Sequence, residues 1–302
     1  MERLDAEWVV AGRAFSAAEL EQVRQTAAWL PGLARRELAD TVCEHLEWFT
    51  AAGTPKRDAC LKLLEKMQCA GMLELPPLRQ RRRNPARSEK PGVRPSGVEV
   101  RAQSGPLREA MPIVLEPATG RQAVREWNAT VERHHPLGFR GAFGFRQRYF
   151  IQGRHGCLGC ILLSGAAKAI AARDRWIGWE APVRLSHLSQ VVNNSRFLLL
   201  PGVRIPHLAS HVLGQLARRV GDDWEARWGF RPSLLETFVD PARYRGTCYR
   251  AAGWRCLGKT SGRGLARPGR AYRSTPRLIF VKPLAADFRR QLGVRGAPGE
   301  RP

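Results

Sequence analysis

Along the first 78 residues, apolar positions recur at helical spacing. Leu20, Val23, Ala27 and Leu30 follow Ser16 and Glu19, whose separation is that of a capping box, so a helix is predicted there, ended by Pro31-Gly32. Leu38, Ala39, Val42, Cys43 and Leu46 share one face of a second helix. A third is predicted to open with Thr54 as cap and Pro55 at its first position, and to stop near Gly71. Met72-Leu73-Glu74-Leu75 then alternates before Pro76-Pro77, as a short strand would. Three helices and a strand suit a winged helix-turn-helix, with Lys56, Arg57, Lys62 and Lys66 on or near the third helix for phosphate contacts. A helical packing or oligomerisation module is the alternative.

From residue 110 the period changes. Pro112 to Leu115 is a short apolar run, and Val124, Trp127 and Val131 fall on one face of a helix over 121–131. Phe143 to Gln152 and Cys157 to Leu163 flank Gly153-Arg154-His155-Gly156, a hairpin signal. A Trp-rich stretch, 173–179, and Asn193-Asn194-Ser195-Arg196 precede a buried strand over 197–200. A loop and a helix over 207–220 follow, with Leu208, Val212 and Leu216 as its apolar stripe. A strand over 233–240, a helix over 244–252 closed by Gly253, and a strand opening at Trp254 complete the order. The predicted class is α+β.

Charge divides the chain further. Residues 1–78 hold 9 basic and 12 acidic side chains, residues 79–108 hold 9 and 2, and the rest holds 32 and 13, for a net charge of +23. The middle segment, with Arg79, Arg81, Arg82 and Arg83 among Pro, Gly and Ser, reads as a basic linker. It is either a nucleic-acid tether or a solvated spacer. The predicted organisation is therefore a helical domain over 1–78, a linker over 79–108, an α+β domain over 109–290 and a loosely ordered tail over 291–302. The overall charge favours a polyanionic partner, nucleic acid and in the first instance DNA. Glu2, Asp5 and Glu7 predict no secretory signal, and the best apolar run, Cys157 to Ala167, is too short to cross a bilayer. A cytoplasmic protein without a membrane partner is expected, and seven scattered Cys fit reduced thiols.

Two resemblances sharpen this reading. Strand, loop, helix, strand, helix, strand, with Tyr249-Arg250-Ala251-Ala252-Gly253-Trp254 near the end, resembles the core of the GNAT acyltransferase superfamily. In that superfamily the strand-to-helix loop carries Arg-x-x-Gly-x-Gly/Ala. Here Arg204 and Ala209 fit the pattern and His207 does not. The resemblance implies a mixed sheet with helices, and acetyl or another acyl coenzyme A held by Arg204, His207, Leu208, Ala209 and Ser210, because free amides at a helix start bind pyrophosphate. It also places Tyr249 at the usual acid, with Glu236 or Asp240 on the adjacent strand as base and a nucleobase amine as a conceivable acceptor.

Longer blocks point to a narrower family. His135-Pro136-Leu137-Gly138, Ala172-Arg173-Asp174 with Trp176-Ile177-Gly178-Trp179, Val192-Asn193-Asn194-Ser195-Arg196-Phe197, Glu236-Thr237-Phe238-Val239-Asp240 and Gly246-Thr247-Cys248-Tyr249-Arg250 are similar to signature blocks of the Druantia protein A (DruA) family. That resemblance implies anti-phage defence or association with mobile elements, with other defence proteins or a transposase as partners. A non-enzymatic DNA-binding or transposase-accessory module on the same fold is the competing function.

Each candidate residue has a plainer alternative. Tyr249 is either the acid or a core residue with a satisfied hydroxyl, and Glu236 and Asp240 are either bases or partners of Arg. Asn193, Asn194 and Arg196 either read a base edge or phosphate, or, for the Asn pair, form a turn. Arg173 either contacts nucleic acid or pairs with Asp174, while Trp176 and Trp179 are core or a stacking platform. Cys157 with Cys160, and His207 with His211, lack the further ligands a metal site needs, so no metal is assigned.

Overall fold

The computed structural model describes residues 8–30, 32–51, 54–77, 97–139, 144–262 and 275–294. Arg81, Arg82 and Arg83 of the predicted tether lie outside the described residues. The chain forms two compact units, residues 1–89 with 141–145, and residues 90–140 with 146–302.

The first unit is helical. A two-residue hairpin, β1 (Val9–Val10) and β2 (Arg13–Ala14), leads to α1 (Ala17–Trp29), α2 (Arg35–His45) and α3 (Arg57–Cys69). The capping box opens α1 as expected: Glu19 N–H donates to Ser16 Oγ at 3.3 Å and Ser16 N–H to Glu19 Oε2 at 2.9 Å. Leu20 and Val23 of α1, Leu38, Val42 and Cys43 of α2, and Cys60, Leu63, Leu64 and Met67 of α3 are buried, so each apolar stripe faces the interior. Two expectations are corrected. Thr54 and Pro55 do not start α3, because Thr50 N–H donates to the Thr54 carbonyl at 2.8 Å and Phe49 bridges Pro55, which delays the helix to Arg57. Met72–Leu75 forms no strand. Gly71, at φ +69°, turns the chain out of α3, and the segment is held by Leu75 burial and by Arg35 Nε donating to the Pro76 carbonyl at 2.7 Å.

The second unit is α+β. Its elements are β3 (Gln103–Ser104), α4 (Leu107–Ala110), β4 (Val114–Pro117), α5 (Gly120–His134), β5 (Gln147–Gly153), β6 (Gly156–Gly165), α6 (Ala171–Ile177), α7 (Ala181–His187), β7 (Val191–Leu199), β8 (Val203–Arg204), α8 (Leu208–Trp228), β9 (Leu234–Val239), α9 (Thr247–Ala251), β10 (Arg255–Lys259), β11 (Leu278–Pro283) and α10 (Phe288–Gln291). Seven strands form one sheet in the order β10-β11-β9-β7-β6-β5-β4. Every neighbouring pair is antiparallel except β7 and β9, which run parallel and pair only at Val191–Asn193 with Leu234–Glu236. Both strands continue past that point unpaired with each other, so the parallel pair opens toward its carboxy-terminal ends.

Several local devices build this sheet. The β5–β6 hairpin turns at Gly153-Arg154-His155-Gly156, as the turn chemistry predicts. Residues 193–196 are part of β7 rather than a turn ahead of it, and a bulge between Leu162 and Leu163 on its partner leaves Ser195 unmatched. The described part of the predicted linker, from Gly97, is structured: β3 pairs in parallel with β8, and Val98 N–H donates to Thr130 Oγ1 at 2.9 Å. The 21-residue α8 is tied to the β4 region by Gln215 Nε2 donating to the Ile113 carbonyl at 2.7 Å, and Arg219 of α8 donates to the Leu115 carbonyl. Asp223 of α8 accepts from the buried Tyr149 hydroxyl of β5 at 2.7 Å. Among the described residues no helix is long and apolar enough to cross a membrane, and all seven Cys are free thiols.

Candidate functional site

Strand β9 presents alternate residues to opposite faces of the sheet. Leu234 belongs to an apolar cluster with Val191, Ile279 and Val281 of the sheet, Ile177 of α6, and Phe288 of α10. Glu236, two residues on, shares that face and meets Arg173 of α6. Thr237 takes the other face, toward Tyr249 of α9. The two residues expected to act as acid and base are therefore separated by the sheet.

On the Glu236 side the chemistry is closed. Arg173 and Glu236 are both 0% exposed. Arg173 Nη1 donates to Glu236 Oε2 and to the Ala167 carbonyl, each at 2.8 Å, and Nε donates to Asp174 Oδ1 at 2.8 Å. Glu236 Oε1 accepts the Ala167 N–H at 2.8 Å, and Arg184 of α7 reaches Asp174 at 3.3 Å. Burial opposes the Arg173 charge, but Glu236 and Asp174 hold its pKa above the ordinary value. This is a buried ion-pair network that fastens α6 and α7 to the sheet, so neither Arg173 as a phosphate ligand nor Glu236 as a base has access to a ligand.

On the other face the Tyr249 hydroxyl donates to Asn194 Oδ1 at 2.8 Å. The ring stacks on Phe280 at 5.5 Å and meets Trp254 and Phe197 edge-on at 5.1 and 6.3 Å. Burial pushes its hydroxyl well above the ordinary tyrosine range, although the Thr237 hydroxyl acts in the opposite sense. Asn194 Nδ2 donates to the carbonyls of Arg196 at 2.9 Å and Leu162 at 3.3 Å, beside the bulge, and Thr237 Oγ1 donates to the Asn194 carbonyl at 2.9 Å. Asn194 is thus committed to hydrogen bonds within the fold. Asn193 is half-buried, and its Oδ1 is enclosed without a hydrogen-bond partner.

The remaining candidates scatter. Asp240, just past β9, accepts the Ala242 N–H at 3.0 Å through Oδ1 and sits 3.9 Å from Arg243, which makes it the organiser of an exposed turn. Arg196 is half-buried, with Nε on the Gly138 carbonyl at 2.9 Å and Nη1 on the Ser195 carbonyl at 2.7 Å. Burial and the nearby Arg277 lower its pKa from the ordinary arginine value. In the helical unit, Arg57 is engaged by Asp40 through two bonds of 2.7 and 3.0 Å, Lys66 lies over the Trp8 ring at 4.8 Å, Lys56 is the half-buried residue before α3, and Lys62 is exposed.

The start of α8 does not fit a coenzyme pyrophosphate. His207 adopts the left-handed conformation at φ +64° that a glycine would supply, but it carries the Cβ that a glycine would leave out of the approach. Gly202 is packed against chain rather than open: a Cβ there would lie 3.2 Å from Ala102 Cα. Ser210 Oγ donates to the His207 carbonyl at 3.0 Å, Leu208 is buried, and Arg204 is exposed and paired with β3 through its backbone. Among the described residues no three His, Cys, Asp or Glu converge as a metal site would require.

Residues that pattern reading missed lie further along. From 241 to 286 the chain carries eleven Lys and Arg and no Asp or Glu. Within its described parts Arg245, Arg250, Arg255 and Lys259 are exposed, the last two on β10, the edge of the sheet. The signal that would have found them is the missing acid, which segment-wide charge sums average away.

The sheet order, with one parallel pair followed by α9 and an antiparallel β10–β11, defines the second unit as a GNAT-like α+β domain. The chain belongs to the DruA family: the family described as Druantia protein DruA matches residues 68–268, and that membership supports a role in anti-phage defence. No curated protein matches the chain. Among solved structures it is similar to an acetyltransferase of Bacillus subtilis in complex with CoA, at 10% identity and a TM-score of 0.34 over 57% of this chain and 98% of that one. It is also similar to FeeM, an N-acyl amino acid synthase from uncultured soil microbes, at 11% identity and 0.33 over 57% and 90%. A third is a GNAT-family acetyltransferase described as putative from Desulfovibrio desulfuricans, at 13% identity and 0.31 over 57% and 99%. The fold assignment rests on the strand order.

Proposed function

We propose that this protein is a nucleic-acid-binding component of anti-phage defence, in which the GNAT-like sheet serves as scaffold for a basic surface rather than as a transferase. The observation that carries this reading is the stretch from 241 to 286, with eleven cations and no acid in its sequence, of which Arg243, Arg245, Arg250, Arg255 and Lys259 are exposed within the described parts, the last two on the edge strand β10. Phosphates attract such a surface because each neutralised charge releases a condensed counterion. Arg196, whose charge is disfavoured by burial and by the nearby Arg277, is a further cation that a bound phosphate would stabilise. The sealed Tyr249 and Glu236, on opposite faces, favour binding over acyl transfer.

The test is fluorescence anisotropy of the full chain with labelled duplex and single-stranded DNA and RNA over a range of salt concentrations. If Arg245, Arg250, Arg255 and Lys259 each meet one phosphate, their joint replacement by Gln lowers the slope of log affinity against log salt by about 2.8 for a single strand and about 3.6 for a duplex. An unchanged slope would overturn the assignment of this surface. Absence of binding by any nucleic acid, together with saturable thermal stabilisation by acetyl coenzyme A, would replace the reading with a transferase.

A further inference from the structure

The turn after β9 carries an aromatic ring where a nucleic-acid surface would use one. Tyr244 is 58% exposed, and it is the one aromatic among the large hydrophobic residues described as exposed; the others are Val9, Val100, Val114 and Leu137. Exposed Arg243 and Arg245 flank it in sequence, and Arg250 of α9 lies over the Phe280 ring at 5.2 Å. The turn is fixed at both ends. Asp240 accepts Ala242 N–H on its side chain at 3.0 Å, and its carbonyl accepts Arg243 N–H at 3.2 Å and Tyr244 N–H at 2.9 Å. Gly246 closes the turn at φ +70°, packed so tightly that a Cβ there would meet the Phe280 ring at 2.4 Å. Apolar burial does not explain Tyr244, since its ring faces solvent.

We propose that Tyr244 is a stacking platform for an unpaired base, with Arg245 and Arg250 holding the adjoining phosphates, so that the basic surface selects single-stranded nucleic acid. This rests on the nucleic-acid reading above. Every base has a π-face, so a lone ring among cations binds strands with little sequence preference, while a duplex keeps its bases stacked on one another and offers the ring nothing. A pre-formed turn also lessens the ordering cost on binding.

The experiment compares the full chain with its Tyr244→Ala, Tyr244→Phe and Arg245→Gln variants. The probes are a labelled single-stranded oligonucleotide, in DNA and RNA forms, the matching duplex, and an abasic oligonucleotide that keeps the phosphates and lacks the bases. Tyr244→Ala is expected to weaken the single strand roughly 5- to 150-fold, Tyr244→Phe to leave it near wild type, and neither to affect the duplex or the abasic strand. Arg245→Gln is expected to weaken all probes and to lower the salt slope by about 0.7 to 0.9. Equal effects of Tyr244→Ala on the normal and abasic strands, or no effect on either, would overturn the stacking role while leaving the basic surface in place. Failure of the unaltered chain to bind any probe would overturn both.

Discussion

Replacing Arg173 by Met removes one guanidinium from the sealed side of the sheet and nearly preserves its volume. Glu236, 0% exposed, then keeps a single donor, the Ala167 N–H at 2.8 Å, while Asp174 still has Arg184 at 3.3 Å and the Ile170 N–H at 3.2 Å. Nearly all of the loss therefore falls on Glu236. Removing one partner of a buried pair costs about 3–5 kcal/mol, because the charge left behind can neither pair nor reach water. For a unit of this size about 1 kcal/mol moves Tm by roughly 2–4 °C, so the variant is expected to melt about 6–20 °C lower. Removing both charges tells a different story: Arg173→Met with Glu236→Leu is expected to recover most of the loss, since apolar replacement of a whole buried pair is often close to neutral. Urea unfolding followed by tryptophan fluorescence reads this well, because the Trp179 ring lies 5.6 Å from the Arg173 guanidinium carbon. A single variant that loses less than about 1 kcal/mol, or a double variant as unstable as the single one, would refute the view that the two residues form one closed ion pair.

Two further predictions concern the motif blocks. His135 Nδ1 accepts the Leu137 N–H at 3.1 Å, and burial, with Arg196 nearby, lowers its pKa from 6.5 to about 4. The unfolded chain thus takes up a proton at higher pH than the folded one, so the stabilisation is present above pH 6.5 and is lost as pH falls from 6.5 to 4. His135→Gln is expected to flatten that part of the urea-midpoint against pH curve, and an unchanged curve would assign the acid sensitivity elsewhere. Tyr249→Phe leaves Asn194 Oδ1 without its 2.8 Å donor and is expected to cost about 1–3 kcal/mol in a urea melt while nucleic-acid affinity stays constant. A stable variant with lost binding would show that the hydroxyl serves a ligand.

What the sequence by itself determined is local. The Ser16–Glu19 capping box, the apolar stripes of α1, α2, α5 and α8, and the Gly153–Gly156 hairpin are set by neighbours a few residues apart, and they form as their spacing demands. The succession of β7, α8, β9, α9 and β10 was also legible, because each carries its own period and its own punctuation, whereas β8, β11 and α10 were not foreseen.

Tertiary structure decided the rest. Asn193-Asn194-Ser195-Arg196 has the composition of a turn, yet the chain is drawn into β7, where the Asn194 side chain bonds the Leu162 and Arg196 carbonyls beside the Ser195 bulge. Thr54-Pro55 has the signature of a helix start, but a bridge to Phe49 takes precedence and α3 begins two residues later. Above all, Glu236 and Tyr249 are close in the sequence order of a transferase site, and the two-residue period of β9 combined with α9 packing on the Thr237 side places the sheet between them. Which face a strand residue occupies depends on register and on what covers each face, and both are set by segments tens of residues away. Buried charges act in the same non-local way: Arg173 finds Glu236 across 63 positions of chain, and only the folded sheet makes that pairing less costly than leaving either group in water.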